Sequence, residues 1–306
     1  MADFVGQQFG NYLLTHYLKG GGFADVYLGE HRLLKMRAAI KVIRDQLNKQ
    51  EFLEEARTIA ALAHPNIVRV LEFDAKELSK NHWISFLVMD YAAQGTLRDR
   101  HPRGTILPLT TVFSYTQQVA DALQFAHDNR IIHRDVKPEN MLIDAQGKIL
   151  LSDFGIAAIE HSTSSRKTID AIGTPLYMAP EQWNGQPRPA SDQYSLGIIV
   201  YEWLSGQPPF LGNQHALPHQ HNNVPPAPFA PSLRIPAEME NAVQRALAKI
   251  PEQRFPDVKS FVQALRQNNQ MAPGMVAQPN YASPAQTAPQ RPIPPTIPVM
   301  VAQQAV

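Results

Sequence analysis

Residues 131–155 constrain the fold more than any other stretch of this chain. The polar run His133-Arg134-Asp135-Val136-Lys137-Pro138-Glu139-Asn140 is set between apolar Ile131-Ile132 and Met141-Leu142-Ile143, and Asp153-Phe154-Gly155 follows. A run this polar would ordinarily be a solvated loop, but its apolar flanks require its side chains to be held at the rim of a core. The chain differs in kind on the two sides of it. Before it, Tyr12-Leu13-Leu14, Val26-Tyr27-Leu28, the run 38–43 and the run 83–89 are short apolar segments separated by glycine or polar clusters, which predicts strands. One helix interrupts them, from about Lys49 to Ala63. From Leu109 onward, spacing and composition predict helices over 110–129, 191–205, 238–249 and 256–267. Strands first and helices later indicate an α+β fold in two lobes, dividing near residues 91–95. Tyr194 to Leu204 is apolar on nearly every face, so that helix belongs in the middle of a lobe, with Asp192 at its start. Trp83 and Trp203 read as core.

A chain of 306 residues suits one two-lobed unit plus a tail. The net charge of +1 argues against a surface that coats nucleic acid. No cysteine is present, so disulfide and thiolate chemistry are excluded, and a reducing cytoplasmic setting fits. The N-terminus lacks the basic and apolar regions of a signal peptide, and no stretch has 18 uninterrupted apolar residues; the expectation is a soluble chain without a membrane anchor. Composition changes after Gln270: residues 271–306 hold eight prolines and five glutamines, with Arg291 the only charge. Such a segment cannot bury enough apolar area to offset ordering entropy, which predicts a disordered, partly polyproline-II tail. It reads as a linker, with Pro292-Ile293-Pro294-Pro295 a potential ligand for a proline-reading domain.

The polar run carries a specific chemistry. Asp135, an amide five residues later at Asn140, and a second carboxylate 18 residues after the first at Asp153 are what phosphoryl transfer from Mg-ATP requires. Asp135 can accept a hydroxyl proton, Asn140 and Asp153 supply hard oxygen ligands for Mg²⁺, and Lys137 can neutralise charge on the moving phosphoryl group. Lys41 ends Ala38-Ala39-Ile40-Lys41 as a single charge in a buried strand. On the following helix Phe52, Glu55, Ile59 and Leu62 share one face. A carboxylate on a core stripe is costly without a cation, and Lys41 is the expected partner of Glu55.

These motifs match the protein-kinase signature set. The chain resembles a bacterial, eukaryotic-like Ser/Thr protein kinase from about Tyr12 to Arg266. The resemblance implies a small β-rich lobe over 12–90 and a larger helical lobe over 95–267. Residues 1–11 form an N-terminal extension and 268–306 the tail. It implies ATP and Mg²⁺ as cofactors (Mn²⁺ as a substitute) and Lys41, Asp135 and Lys137 as catalytic residues. Val26, Ala39 and Leu142 would sandwich the adenine, Met89 would be the gatekeeper, and backbone at Asp90 and Ala92 would bind its edge. Against the glycine-rich pattern G-x-G-x-x-G-x-V, this chain has Lys19, Gly21 and Ala24 at the three glycine positions. Gly20 and Gly22 flank the middle one and keep the turn pliable. Lys19 stands where a Cβ is poorly tolerated, and it bears on ATP affinity.

Asp153 and Glu181 stand 28 residues apart and bracket a hydroxyl-rich stretch with Ser162, Thr163, Ser164, Ser165, Thr168 and Thr174. Arg134, directly before Asp135, resembles the arginine that holds a phosphorylated loop in switched kinases. By the same likeness Thr168 is the first phosphosite candidate, with Thr163 and Ser165 beside it. Glu181 is a lone acid next to an apolar helix, and Arg254 stands where the family supplies its cation. Lys137 with Thr174 resembles kinases that act on serine or threonine, so the implied partners are protein substrates, with a transient homodimer for autophosphorylation. His215, His219 and His221 read as neutral surface residues rather than a metal site. His133 is expected to pack against Phe154 in an apolar spine with Ile59 and Val70. Two other classes share part of this pattern: a pseudokinase scaffold, supported by Lys19 and Ala24, and a small-molecule kinase, which normally lacks Ala179-Pro180-Glu181.

Overall fold

The structure is a computed structural model that describes residues 4–21, 24–44, 56–80, 82–154, 175–213 and 215–266. Two units separate by contact, residues 1–270 and 271–306, and the described residues all lie in the first. The predicted tail, Gly22, Glu55, the candidates Thr163, Ser165 and Thr168, and Thr174 fall outside the described residues.

The N-terminal half folds into a six-stranded antiparallel sheet. Its strands are β1 (Gln8–Phe9), β2 (Tyr12–Gly20), β3 (Ala24–His31), β4 (Arg37–Ile43), β5 (Val70–Ser79) and β6 (His82–Asp90), in the order β1-β2-β3-β4-β6-β5. Strand alternation divides its apolar residues between two faces. Tyr27, Ala38, Ile40, Val42, Phe86 and Val88 pack on the outer face, while Ala39, Ile43, Leu87 and Met89 join the core shared with the helical half. The residues before Tyr12 do not stand apart from this sheet. β1 pairs with β2, Phe9 is fully buried, and Phe4 lies edge-on to Phe9 and Tyr27 at 5.3 and 6.1 Å.

The described helical residues before β5 are 56–60 (α1), and Ile59 and Leu62 are buried as their shared face predicts. The second half holds α2 (Leu97–Arg100), α3 (Leu109–Asp128), the hairpin β7 (Met141–Ile143) and β8 (Ile149–Leu151), and α4 (Pro180–Trp183). It continues with α5 (Pro189–Ser205), α6 (Ala216–Asn223), α7 (Ala237–Ala246) and α8 (Val258–Arg266). From Ser191 to Leu204 every residue of α5 is buried, which is why its composition is apolar all round. Gly206 closes that helix in the left-handed region at φ 83°, a conformation glycine adopts without strain. This is the two-lobed α+β arrangement expected from the sequence.

Two details correct the sequence reading. Trp83 is half exposed (50%) rather than core, whereas Trp203 is buried. The loop expected to carry three surface histidines contains α6. His215 and His219 are exposed, but His221 is fully buried with its Nδ1 3.0 Å from the Tyr194 hydroxyl. Burial and the nearby Lys249 push its pKa down to about 3.

Candidate active site

Asp192, on the first turns of α5, organises the polar run 133–140. Its carboxylate accepts backbone N–H bonds from His133 and Arg134, both at 2.9 Å, and lies 2.7 Å from His127 Nε2 of α3. Burial opposes ionisation of Asp192, but the contact with His127 and these donors outweigh it and hold the carboxyl below its ordinary value. The bonds also explain the backbone. Arg134 sits at φ 69°, a costly conformation for a non-glycine residue unless its surroundings fix it. Two amides clamped to one buried carboxylate supply that constraint.

The loop then turns its functional groups together. Asp135 Oδ2 accepts from Lys137 Nζ at 2.7 Å and from Asn140 Nδ2 at 2.9 Å. Burial disfavours the Lys137 ammonium, but Asp135 more than compensates and its pKa rises. The amide group of Asn140 also bonds the Asp135 carbonyl at 2.9 Å, so its donor end is committed and its oxygen turns away. The Asn140 carbonyl accepts from the N–H and hydroxyl of Ser152 at 2.9 and 3.0 Å, which ties Asn140 to the residue before Asp153. His133 Nε2 donates to the Ser152 carbonyl at 2.8 Å, and its ring packs on Phe154 at 4.5 Å as expected. Asp153 is a second left-handed residue, at φ 65°.

From the sheet, Lys41 reaches across to Asp153 Oδ1 at 2.7 Å, and both side chains are largely buried. Burial alone would raise the Asp153 carboxyl; Lys41 reverses this and holds it far below the carboxylate range. The expected Glu55 partner of Lys41 lies outside the described residues, so Asp153 is its described partner. Around this pair Ala39 and Met89 are buried on the sheet, Val26 is half-buried, and Leu142 lies across the cleft on β7, bridged to Thr96. The Asp90 N–H donates to Arg69 O at 3.0 Å, and Ala92 is buried nearby. Gly21 N–H donates to Ala24 O at 2.9 Å and closes the β2–β3 hairpin.

Glu181 and Arg254 meet in a buried bidentate pair, with Nη1–Oε1 at 2.7 Å and Nη2–Oε2 at 2.9 Å. Arg134 keeps its carbonyl bonded to Gln182 at 2.8 Å, while its buried Nε has no partner among the described residues.

The sequence reading missed one cluster. Arg98 on α2 bonds Glu139 Oε1 at 3.0 Å and Glu202 Oε1 at 2.7 Å and also reaches the Tyr177 hydroxyl, which donates to Glu202 Oε2 at 2.6 Å. Burial and Glu202 raise the Tyr177 pKa, so the hydroxyl stays protonated and donates. The signal was available: Glu202 is a lone acid in an apolar helix and needs a cation, by the logic applied to Glu181.

Comparisons with known proteins converge on one family. The family profile described as "Protein kinase domain" matches residues 13–270. Serine/threonine-protein kinase PknB of Mycobacterium leprae is 39% identical over 255 residues, 80% of this chain and 40% of that protein. Serine/threonine-protein kinase PrkC of Bacillus subtilis is 36% identical over 256 residues, 80% of this chain and 38% of that protein. The chain thus spans about two fifths of the length of these curated relatives. The crystal structure of a mutant of the Mycobacterium tuberculosis PknI kinase domain superposes with a TM-score of 0.66 at 26% identity, covering 87% of this chain and 99% of that one.

Proposed function

This chain belongs to the protein kinase domain family, and we propose that it transfers the γ-phosphate of Mg-ATP to serine or threonine of protein substrates. The observation that carries this reading is the convergence of Lys41, Asp153, Asn140, Lys137 and Asp135 across one cleft. The acceptor class rests on the Lys137-containing loop and on the names of PknB and PrkC as serine/threonine-protein kinases.

The donor set suits a hard cation. Asn140 directs its amide nitrogen to Asp135, which frees its oxygen, and Asp153 is ionised with Oδ2 met, among the described residues, by a long 3.5 Å contact from Ser152. No group of three or more His, Asp or Glu residues that could hold a metal occurs among the described residues. Two protein oxygens supplemented by phosphate oxygens are the usual arrangement for Mg²⁺. In this reading Asn140 and Asp153 hold Mg²⁺, with Mn²⁺ a substitute, and the ion supplies charge neutralisation at the transferring phosphoryl group.

The chain's own residues do the rest. Lys41, fixed beside Asp153, positions the α- and β-phosphates. Asp135 orients the acceptor hydroxyl and takes its proton. Lys137, held protonated against Asp135, balances negative charge as the phosphoryl group moves. Val26, Ala39, Met89 and Leu142 would enclose the adenine. Regulation would come from autophosphorylation at Thr168, Thr163 or Ser165 within a transient homodimer, and the buried Nε of Arg134, without a partner among the described residues, supports a phosphate partner for that guanidinium. No described helix is long and apolar enough to cross a membrane. The proposed compartment is the cytoplasm, where ATP and protein acceptors are at hand.

The test is incubation with labelled ATP and Mg²⁺, with casein or a basic protein as acceptor, followed by phosphosite mapping. Phosphoserine or phosphothreonine on the acceptor and within residues 162–174 is expected. No transfer at any pH between about 7 and 8 would sink the proposal.

A further inference from the structure

The β2–β3 hairpin departs from its family's pattern at Lys19, and the structure gives that departure a direction. Gly20 is opposite Asp25, and a Cβ on Gly20 would lie 2.1 Å from the Tyr17 hydroxyl and 2.7 Å from Asp25 Oδ1. Those groups form a brace on the outer face of the hairpin: Tyr17 donates to Asp25 at 3.3 Å, and Arg44 Nε donates to Asp25 at 2.7 Å. A side chain at position 20 would therefore push against this brace. Side chains alternate along a strand, so Lys19 faces the other way. The register agrees, because Lys19 is opposite Val26 and Val26 is opposite Lys41, which points into the cleft at Asp153.

The Asp99 carboxyl of α2 is lowered first by its hydrogen bonds from Thr96 and also by Lys19, which puts Lys19 within electrostatic reach of that helix. Meanwhile Gly21 spends its N–H on Ala24 O at 2.9 Å, so one backbone donor of the hairpin is committed. An exposed lysine on the cleft-facing side of the hairpin offers a second cation for a polyphosphate.

We propose that Lys19 is a nucleotide-binding residue whose ammonium contacts the phosphates of the bound nucleotide. This inference rests on the reading of the cleft as a nucleotide site.

Equilibrium binding of ATP, ADP and adenosine, measured by displacement of a fluorescent nucleotide, tests it on the full chain. Lys19→Gln is expected to weaken ATP and ADP by roughly 3- to 10-fold while adenosine is unchanged. Lys19→Arg is expected to retain wild-type affinity, and the salt dependence of ATP binding should be shallower in Lys19→Gln. Unchanged ATP affinity in Lys19→Gln, tighter binding in Lys19→Gly, or equal losses for ATP and adenosine would each overturn the proposal; the last would mark Lys19 as a lobe-to-lobe strut. Failure of the wild type to bind ATP would instead overturn the proposed function. Matching melting curves for Lys19→Gln and Lys19→Arg separate lost contact from lost folding.

Discussion

Breaking the Glu181–Arg254 pair tests the electrostatic reasoning most directly. Arg254 is 2% exposed and donates to Glu181 twice and to the carbonyls of Ala248, Ala190 and Lys249. Glu181 also accepts from the Ser191 hydroxyl at 2.7 Å. Glu181→Gln keeps the shape but leaves a guanidinium buried with no counter-charge, and arginine cannot neutralise itself by losing a proton. The expected cost is about 3–5 kcal/mol, which for a domain of this size lowers Tm by roughly 6–20 °C. Arg254→Met strands a carboxylate instead, and a carboxylate can protonate. Burial raises and Arg254 lowers the Glu181 carboxyl, with a net shift below its ordinary value of 4.5. The wild-type pair therefore contributes fully above pH 4.5, and its contribution is lost only as pH falls through the depressed folded value. Without Arg254, burial, the largest effect, is opposed only by the hydrogen bonds from Ser191 and the backbone, and the folded carboxyl is expected to rise above its unfolded value, so acid stabilises that variant relative to the wild type. Thermal and urea melts from pH 7 to pH 5 should show the Arg254→Met penalty shrinking and the Glu181→Gln penalty holding steady. A Glu181→Gln shift under about 3 °C, or a pH-independent Arg254→Met penalty, would refute the reasoning.

Asp135→Asn is expected to abolish phosphate transfer with an unchanged melting curve, read by labelled-ATP assay and calorimetry. Asp192→Asn replaces one acceptor oxygen with a donor and leaves a buried N–H of the loop unpaired, at about 1–3 kcal/mol; kcat should fall at least tenfold with little change in KM for ATP. Lys249→Met is expected to stabilise the domain at pH 7. Burial and then Arg254 hold the Lys249 pKa down at about 8, so the folded protein carries an unfavourable charge below that pH. Wild-type stability therefore rises above pH 8 as the ammonium deprotonates, and the advantage of the variant should shrink over that range in urea melts.

The parts legible in sequence were those where one physical signal dominates. β4 is an unbroken buried run from Ala38 to Ile43 that holds a lone lysine, and α5 is apolar all round because it is enclosed on all sides. β5 was not legible: Glu72, Asp74, Lys76 and Glu77 crowd an edge strand that pairs on one side only, with β6. Pro218 and a run of His, Gln and Asn hid α6, whose stability comes from burying Leu217 and His221 rather than from helix propensity. Arg98 and Glu202 are 104 residues apart, so their pairing needs the fold to be known. At the candidate site, residue type and spacing pointed to Asp135, Asn140 and Asp153, and the structure places Asp135 in contact with Asn140 and Asp153 in contact with Lys41. The link through Ser152, a small polar residue with no distinctive neighbours, carried no signal.

One backbone arrangement bears on how the cleft moves. Leu151 N–H donates to Asn66 O at 2.8 Å, and its carbonyl accepts from Val68 N–H at 3.0 Å. The segment between α1 and β5 is thereby riveted to β8 at Leu151, two positions before Asp153, and Asn66 Nδ2 adds a bond to the Ile149 carbonyl at 2.8 Å. Sliding the sheet over the helices would have to shear all three bonds, so breathing of the molecule is expected to take the form of a swivel about this end of β8. A swivel carries Lys41 along an arc while Asp153, next to the pivot, stays nearly still. Amide hydrogens at Leu151 and Val68 should then exchange among the slowest in the sheet region, even when ligand entry is fast.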